Sequence, residues 1–106
     1  MSSKYKIRKK ALMDLEKIWL YTFNHWGVEQ ADDYVRLITD KFEWLAENPK
    51  AGQPRHEIKS GYLSALAGSH LIFYKLTRHQ PDIVSVTHQK ADISSRVGSP
   101  KEKFLP

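Results

Sequence analysis

The stretch at residues 68–75 constrains the fold more than any other part of the sequence. It is the only long run that is rich in β-branched and aromatic residues, a composition that is typical of a central strand. Side chains alternate between the two faces of a strand. One face here carries His70, Ile72 and Tyr74, and the other carries Leu71 and Phe73. Because both faces carry apolar bulk, the sequence predicts that each side of this strand is covered.

The chain before this strand predicts a short strand and two helices. Residues 4–8 alternate polar and apolar side chains, which indicates a half-buried edge strand. From Ala11 to Trp26 the apolar residues recur at intervals of three and four, and Gly27 is a plausible helix stop. A second amphipathic pattern ends at Asn48-Pro49. The connection at Gly27 is so short that the helices are expected to form an antiparallel hairpin.

The second half of the chain predicts three antiparallel strands, at residues 62–66, 68–76 and 83–88. A tight turn at Ala67-Gly68 and a longer connection over residues 77–82 join them. In the last strand Val84, Val86 and His88 are expected to share a face. The predicted class is α+β: an N-terminal strand, a helical hairpin and a three-stranded meander, with the helices on one sheet face. We expect one domain over residues 1–98 and a flexible tail over residues 99–106.

Composition limits the function. The 106 residues include no cysteine and carry a net charge of +5. The missing cysteines exclude disulfides and thiol catalysis, which is compatible with a reducing cytoplasm. No apolar run approaches the ~20 residues that a membrane helix needs, and no signal peptide is recognisable. The positive charge favours an acidic partner, either protein or nucleic acid, although a solubilising surface explains it equally well.

Residues after the last strand form the one polar group that could carry chemistry. His88, Lys90 and Asp92 follow one another closely, and Arg96 comes next. Such a group could act on a phosphodiester, with the histidine as acid or base and the cations stabilising charge. Alternatively, His88 lies in or beside the core and Asp92 caps a turn. The five histidines of the chain show no helical pair, and no nucleotide or metalloprotease motif occurs, so we expect no metal and no cofactor.

Several short motifs, taken in their order and spacing, resemble the ParE toxins of the RelE/ParE superfamily over about residues 5–97. The motifs are Ala11-x-x-Asp14-Leu15-x-x-Ile18, Trp26-Gly27, Glu47-Asn48-Pro49 with Gly52, Gly68-Ser69-His70-x-Ile72-Phe73-Tyr74, and His88-Gln89-Lys90-x-Asp92. The resemblance implies a RelE/ParE-like fold and a cytoplasmic bacterial toxin of a type II toxin–antitoxin module. It implies inhibition of DNA gyrase by binding to its A subunit, and neutralisation by a ParD-like antitoxin. It implies neither enzymatic activity nor sequence-specific nucleic-acid binding.

Two surfaces are expected to carry these interactions. For gyrase we predict the basic sheet edge and C-terminal segment, with His88, Lys90 and Arg96 as contacts. For the antitoxin we predict apolar surface on the helical hairpin and basic residues of the first strand. The predicted antitoxin contacts are Trp19, Leu37, Trp44, Lys6 and Arg8. Leu37 and Trp44 lie off the main apolar stripe of helix two, where they form a second apolar face, merely extend the core stripe or pack on a loop.

Two other functions stay open from the sequence. One is a ribosome-dependent mRNA endonuclease of the RelE kind, with His88, Lys90 and Arg96 as the reactive group. The chain has no tyrosine after Tyr74, whereas RelE-type nucleases use a tyrosine or another acid–base group near the C-terminus, which counts against this reading. The other is a basic interaction domain without toxicity.

Overall fold

The computed structural model describes residues 4–91 and has the predicted α+β class. A short strand, β1 (Lys6–Ile7), leads into helices α1 (Lys9–Trp26) and α2 (Val28–Glu47). The remaining strands are β2 (Gln53–Pro54), β3 (Leu63–Ala67), β4 (His70–Thr77) and β5 (Gln80–His88), followed by a 3₁₀ turn over Gln89–Ala91. The predicted tail at residues 99–106, and the end of the predicted domain at residue 98, lie outside the described residues.

The sheet has five strands in the order β1-β5-β4-β3-β2, so the strand predicted to be central is central. The predicted antiparallel meander of β3, β4 and β5 is confirmed. Two-residue strands extend it at both edges. At one edge β1 runs parallel to β5, and at the other β2 pairs antiparallel with β3. The segment that contains β2 was predicted to be a loop because it is rich in glycine and proline, and a strand of two residues is too short to show strand periodicity.

Both hairpin turns differ from the prediction. Thr77 pairs with Gln80, so the turn between β4 and β5 has only two central residues and the expected long connection is wrong. These two residues, Arg78 and His79, have φ values of 56° and 67°. Such turns usually contain Asn-Gly or Gly, so an Arg-His pair gives no sequence signal. Between β3 and β4, Ala67 is still paired as a strand residue, and the turn lies at Gly68 and Ser69.

A β-bulge changes which residues of β5 are buried. Phe73 pairs with Ser85 but Tyr74 pairs with Ile83, so Val84 is the extra residue. Ile83 and Val86 are therefore both buried against the helices, and Val84 is only half-buried. The predicted shared face of Val84 and Val86 is wrong, because strict alternation fails where the pairing shifts by one residue.

The core lies between the helical hairpin and one face of the sheet. Its helical members follow the spacing of three, four and seven that places side chains on one face of a helix. The main members are Ala11, Leu15, Ile18, Ile38, Phe42, Leu45, Ile72, Tyr74, Ile83 and Val86. On the opposite sheet face Leu71 and Phe73 are also buried, as predicted. The Arg55 guanidinium lies 5.8 Å from the Phe73 ring centroid on that side.

The hydroxyl of Tyr74 fixes the loop after α2. It accepts a hydrogen bond from the Gly52 backbone N–H at 2.9 Å and donates one to the Pro49 carbonyl at 3.0 Å. The Tyr74 side chain is fully buried. Burial raises the pKa of its hydroxyl, so the proton stays available for donation. Within residues 4–91, neither helix is both long and apolar enough to cross a membrane.

Candidate functional site

The first candidate surface, which we call the α2–β3 groove, lies between helix α2 and strand β3. It has a volume of about 360 Å³ and is lined by Leu37, Asp40, Lys41, Trp44, Leu66 and Ala67. Leu37 and Trp44 are each 45% exposed and Leu66 is 51% exposed. The Lys41 ammonium lies 4.2 Å from the Trp44 ring centroid. Leu37 and Trp44 thus form an apolar surface outside the core. The structure does not support the alternative that they extend the core.

The other predicted antitoxin contacts lie elsewhere. Lys6 and Arg8 are exposed at the β1 edge of the sheet, and strands β5 and β4 separate β1 from β3. Arg8 also forms an ion pair with Asp82 at 2.9 Å. The Trp19 indole N–H donates to Asp32 at 2.8 Å, and its ring stacks on Phe23. Of the five predicted residues, the structure therefore brings only Leu37 and Trp44 together in one groove.

The second candidate surface, which we call the histidine pocket, has a volume of about 190 Å³. It lies where the second half of α1, the start of α2, the β3–β4 turn and the end of β5 meet. Its lining residues are Tyr21, Thr22, Trp26, Gln30, Tyr34, Ser69, His70 and His88. Three aromatic rings and two imidazoles therefore surround one small cavity.

Tyr34 joins helix α2 to the β3–β4 turn. Its hydroxyl accepts the Ser69 backbone N–H at 2.9 Å and lies 2.7 Å from Nδ1 of His70. Within residues 4–91 no other acceptor lies in reach of the Tyr34 hydroxyl proton, so we assign this proton to Nδ1 of His70, which places the hydrogen of the neutral imidazole on Nε2. A Cβ at Gly68 would lie 2.8 Å from the Tyr34 ring, so this close approach requires glycine.

The two histidines of the pocket are uncharged at neutral pH. Burial lowers the pKa of His70 to about 4, with a further contribution from the neighbouring His88. Burial also lowers the pKa of His88, and the Lys90 ammonium adds to this effect. Their ring centroids are 5.1 Å apart. A general acid must hold a proton at the working pH, so this pair is poorly suited to protonating a leaving group, whereas a neutral imidazole can still accept a proton as a base.

The predicted gyrase contacts are only partly described. His88 is half-buried at the end of β5, and its Nδ1 accepts the backbone N–H of Lys90 at 3.0 Å. Lys90 is exposed in the 3₁₀ turn. Arg96 and Asp92 lie outside the described residues. Across residues 4–91, no group of three or more His, Asp or Glu side chains could hold a metal ion.

Sequence reasoning missed Tyr34 and His70 as partners. They are brought together only by the packing of α2 on the sheet, since one lies mid-helix and the other begins β4. Tyr34 follows the apolar spacing of its helix and therefore looks like an ordinary core residue. The one available signal was the Gly68-Ser69-His70 motif, in which the glycine permits the close contact with the Tyr34 ring.

Comparison with known proteins decides the family. Residues 5–93 match the family described as "ParE toxin of type II toxin-antitoxin system, parDE". The chain belongs to the ParE toxin family. Among the similar ParE relatives is Toxin ParE1 of Caulobacter vibrioides, which is 37% identical over 94 residues, covering 89% of this chain and 97% of that protein. Toxin ParE1 of Mycobacterium tuberculosis is 40% identical over 94 residues, covering 88% and 96% of the two chains.

A solved structure shares the fold of this ParE family member. It is described as "Chromosomal ParDE TA system from P. aeruginosa", and the match has a TM-score of 0.71 over 79% of this chain and 92% of that chain. The two sequences are only 20% identical. The likeness therefore shows a shared fold between two chains of low sequence identity.

Proposed function

We propose that this chain is the toxin of a type II toxin–antitoxin module that binds DNA gyrase, through its A subunit, and so blocks replication. A ParD-like antitoxin neutralises it. The observation that carries the proposal is the family match over residues 5–93, together with relatives named Toxin ParE1 that align over nearly their whole length. The gyrase target follows from the family resemblance.

The proposed target surface includes the end of β5 and the turn that follows it. Lys90 is exposed there beside the half-buried His88, and Arg96 follows in sequence. An exposed lysine can pair with an acidic group of a partner protein, and the neighbouring pocket can accommodate one of its side chains. Because the pKa of His70 is low and that of His88 is lowered, both histidines are poorly suited to act as the general acid of a phosphodiester cleavage at neutral pH. We therefore propose a non-enzymatic inhibitor that acts by binding.

A gyrase supercoiling and DNA-cleavage assay tests the proposal. We expect the purified chain to inhibit supercoiling, and we expect Lys90→Glu to weaken inhibition about tenfold, because truncating or reversing a contact charge commonly costs 1–2 kcal/mol. Lys50→Glu is the matched control, since Lys50 is an exposed lysine in the loop after α2. Unaltered supercoiling at excess wild-type protein would contradict the proposal, and new RNA 5′ ends within codons after induction would favour the nuclease instead.

The proposed antitoxin site is the α2–β3 groove. Amphipathic helices commonly bind in apolar grooves through residues spaced three, four and seven apart. Leu37 and Trp44 are themselves seven apart and present two exposed turns of α2 to such a segment, with Leu66 opposite. The positive net charge of the chain, +5, favours an acidic partner. An adjacent short gene for a ribbon-helix-helix protein with an acidic tail is the expected source of that partner.

Trp44→Ala is expected to weaken the antitoxin complex about tenfold, because exposed tryptophans in grooves are frequent hot spots of 1–2 kcal/mol or more. Isothermal titration calorimetry with the ParD-like partner measures this. Met13→Ala is the control: Met13 is 50% exposed on α1, outside the groove. Equal affinities of the Trp44 variant and the wild-type chain would place the antitoxin on another surface.

A further inference from the structure

The histidine pocket is separate from the α2–β3 groove and shares no residue with it. Its walls are aromatic, with Tyr21 and Tyr34 inside and Trp26 at the mouth. Trp26 is 62% exposed, although it is one of the largest apolar side chains of the protein. Its ring meets those of Tyr21 and His25 at centroid distances of 6.3 and 5.5 Å. Such an arrangement offers a stacking surface for a planar ring.

The polar lining residues include Thr22, Gln30 and Ser69, and His70 adds a hydrogen-bond donor. With the Tyr34 hydroxyl assigned as the donor to Nδ1 of His70, Nε2 carries the hydrogen of the neutral ring. Within residues 4–91, the Nε2–H of His70 donates to no protein group, although the ring is half-buried in the pocket lining. A ligand that fills the pocket must therefore supply an acceptor to this N–H.

This requirement discriminates between classes of occupant. A phenylalanine or leucine side chain from a partner would bury the His70 N–H without an acceptor, which costs about 1–3 kcal/mol. A tryptophan would bring a further donor. A planar ring that carries a carbonyl group both stacks on aromatic walls and accepts the hydrogen bond. A volume of about 190 Å³ is below the range of pockets for drug-sized ligands and suits a single ring system.

A cation lies next to this pocket. The backbone N–H of Lys90 binds Nδ1 of His88, which is a lining residue, and the Lys90 ammonium is close enough to lower the pKa of that imidazole. Lys90 itself is exposed. An anionic group attached to the bound ring would therefore meet a positive charge beside the pocket.

We propose that the histidine pocket binds a nucleotide whose base carries a carbonyl group, such as uracil, thymine or guanine. The base stacks on Trp26, its carbonyl oxygen accepts the Nε2–H of His70, and the phosphate lies near Lys90. This binding goes beyond the proposed inhibition of gyrase and requires neither gyrase nor antitoxin. The source of the nucleotide is either the free pool or a single strand of nucleic acid, because both present the same groups.

Titration of the purified full chain with UMP and AMP tests the proposal. UMP is expected to bind about tenfold more tightly than AMP, because the carbonyl oxygen of uracil projects beyond its ring toward the His70 N–H, whereas adenine offers this donor only ring nitrogens that lie nearer the ring centre. The imidazole N–H resonance of His70 should shift in NMR spectra on addition of UMP. Trp26→Ala should weaken UMP binding about tenfold through lost stacking. Leu20→Ala, at an exposed position on α1 outside the pocket lining, should leave the affinity unchanged.

Two further variants separate base recognition from folding. His70→Phe keeps a ring but removes the donor, and it should abolish the preference for UMP over AMP while circular dichroism shows a folded chain. Lys90→Gln, at an exposed position, should weaken UMP but not uridine. Tighter binding of oligouridylate than of UMP assigns the site to a nucleic-acid strand, and equal binding assigns it to free nucleotides. Equal affinity for UMP and AMP, absence of UMP binding at millimolar concentration, or tighter binding of N-acetylphenylalanine amide would overturn the proposal.

Discussion

Replacing Gly52 by alanine is expected to lower the free energy of unfolding by roughly 2 to 4 kcal/mol, the upper range for overpacking. A Cβ at Gly52 would lie 2.8 Å from Cε1 and 2.9 Å from Cζ of Tyr74, and closer still to the hydroxyl oxygen. The Tyr74 ring is fully buried and held by hydrogen bonds to Gly52 and Pro49. It cannot move aside, so the loop after α2 must shift and lose these bonds.

Urea denaturation of a double-mutant cycle measures this effect. Tyr74→Phe removes only the hydroxyl and should cost about 1–2 kcal/mol for the lost hydrogen bonds. In that background Gly52→Ala should cost clearly less than in the wild-type chain, because the nearest clashing atom is gone. If alanine at this position is equally costly in both backgrounds, contact with the hydroxyl is not the cause.

Replacing Asp14 by alanine is expected to cost about 2–3 kcal/mol of stability, because it leaves a buried backbone donor without an acceptor. The Asp14 carboxylate accepts the Val86 N–H at 2.9 Å, and Val86 is only 4% exposed. This bond joins helix α1 to strand β5 close to the bulge at Val84. Asp14 also pairs with the exposed Lys10 at 2.8 Å.

Two matched variants assign the Asp14 effect to the correct partner. Asp14→Asn retains an oxygen acceptor and should cost less than half as much as the alanine variant. Lys10→Met removes only a solvent-exposed ion pair and should cost less than about 1 kcal/mol. Thermal unfolding followed by circular dichroism gives all three values. A Lys10 variant as unstable as the Asp14→Ala chain would assign the stabilisation to the ion pair and not to the bond with β5.

The parts of the fold that were predictable are those in which many residues repeat one signal. Both helices carry long apolar stripes, and β4 is a continuous β-branched and aromatic run. A single residue that breaks such a pattern therefore does not change the predicted element. The strands β1 and β2 have two residues each. Residues 4–8 showed alternation and β1 was predicted, whereas β2 had no repeating signal. The Arg78-His79 turn and the bulge at Val84 depend on pairing with a neighbouring strand, which local sequence does not encode.

Of the two candidate surfaces, one was predictable from the sequence and the other was not. Leu37 and Trp44 were found because an apolar residue off the core stripe of a helix is visible in the sequence. The histidine pocket was not found, because its chemistry arises from a contact between Tyr34 and His70 that exists only after α2 packs on the sheet. His88 was singled out for its neighbours in sequence, whereas its partner across the sheet is His70. Contacts of this kind between distant parts of the chain can be identified only in a three-dimensional structure.

The parallel pairing of β1 with β5 has a consequence for biosynthesis. Lys6 and Ile7 are among the first described residues to leave the ribosome, yet their pairing partners Asp82 and Ile83 are among the last. The hydrogen bond from the Arg8 backbone N–H to the Ile83 carbonyl, and the one from the Arg8 guanidinium to Asp82, also cannot form until these later residues are made. Non-local pairing of this kind forms late. A nascent chain therefore exposes an unpaired basic segment until residues 82 and 83 have left the ribosome, and only then can β1 join the sheet.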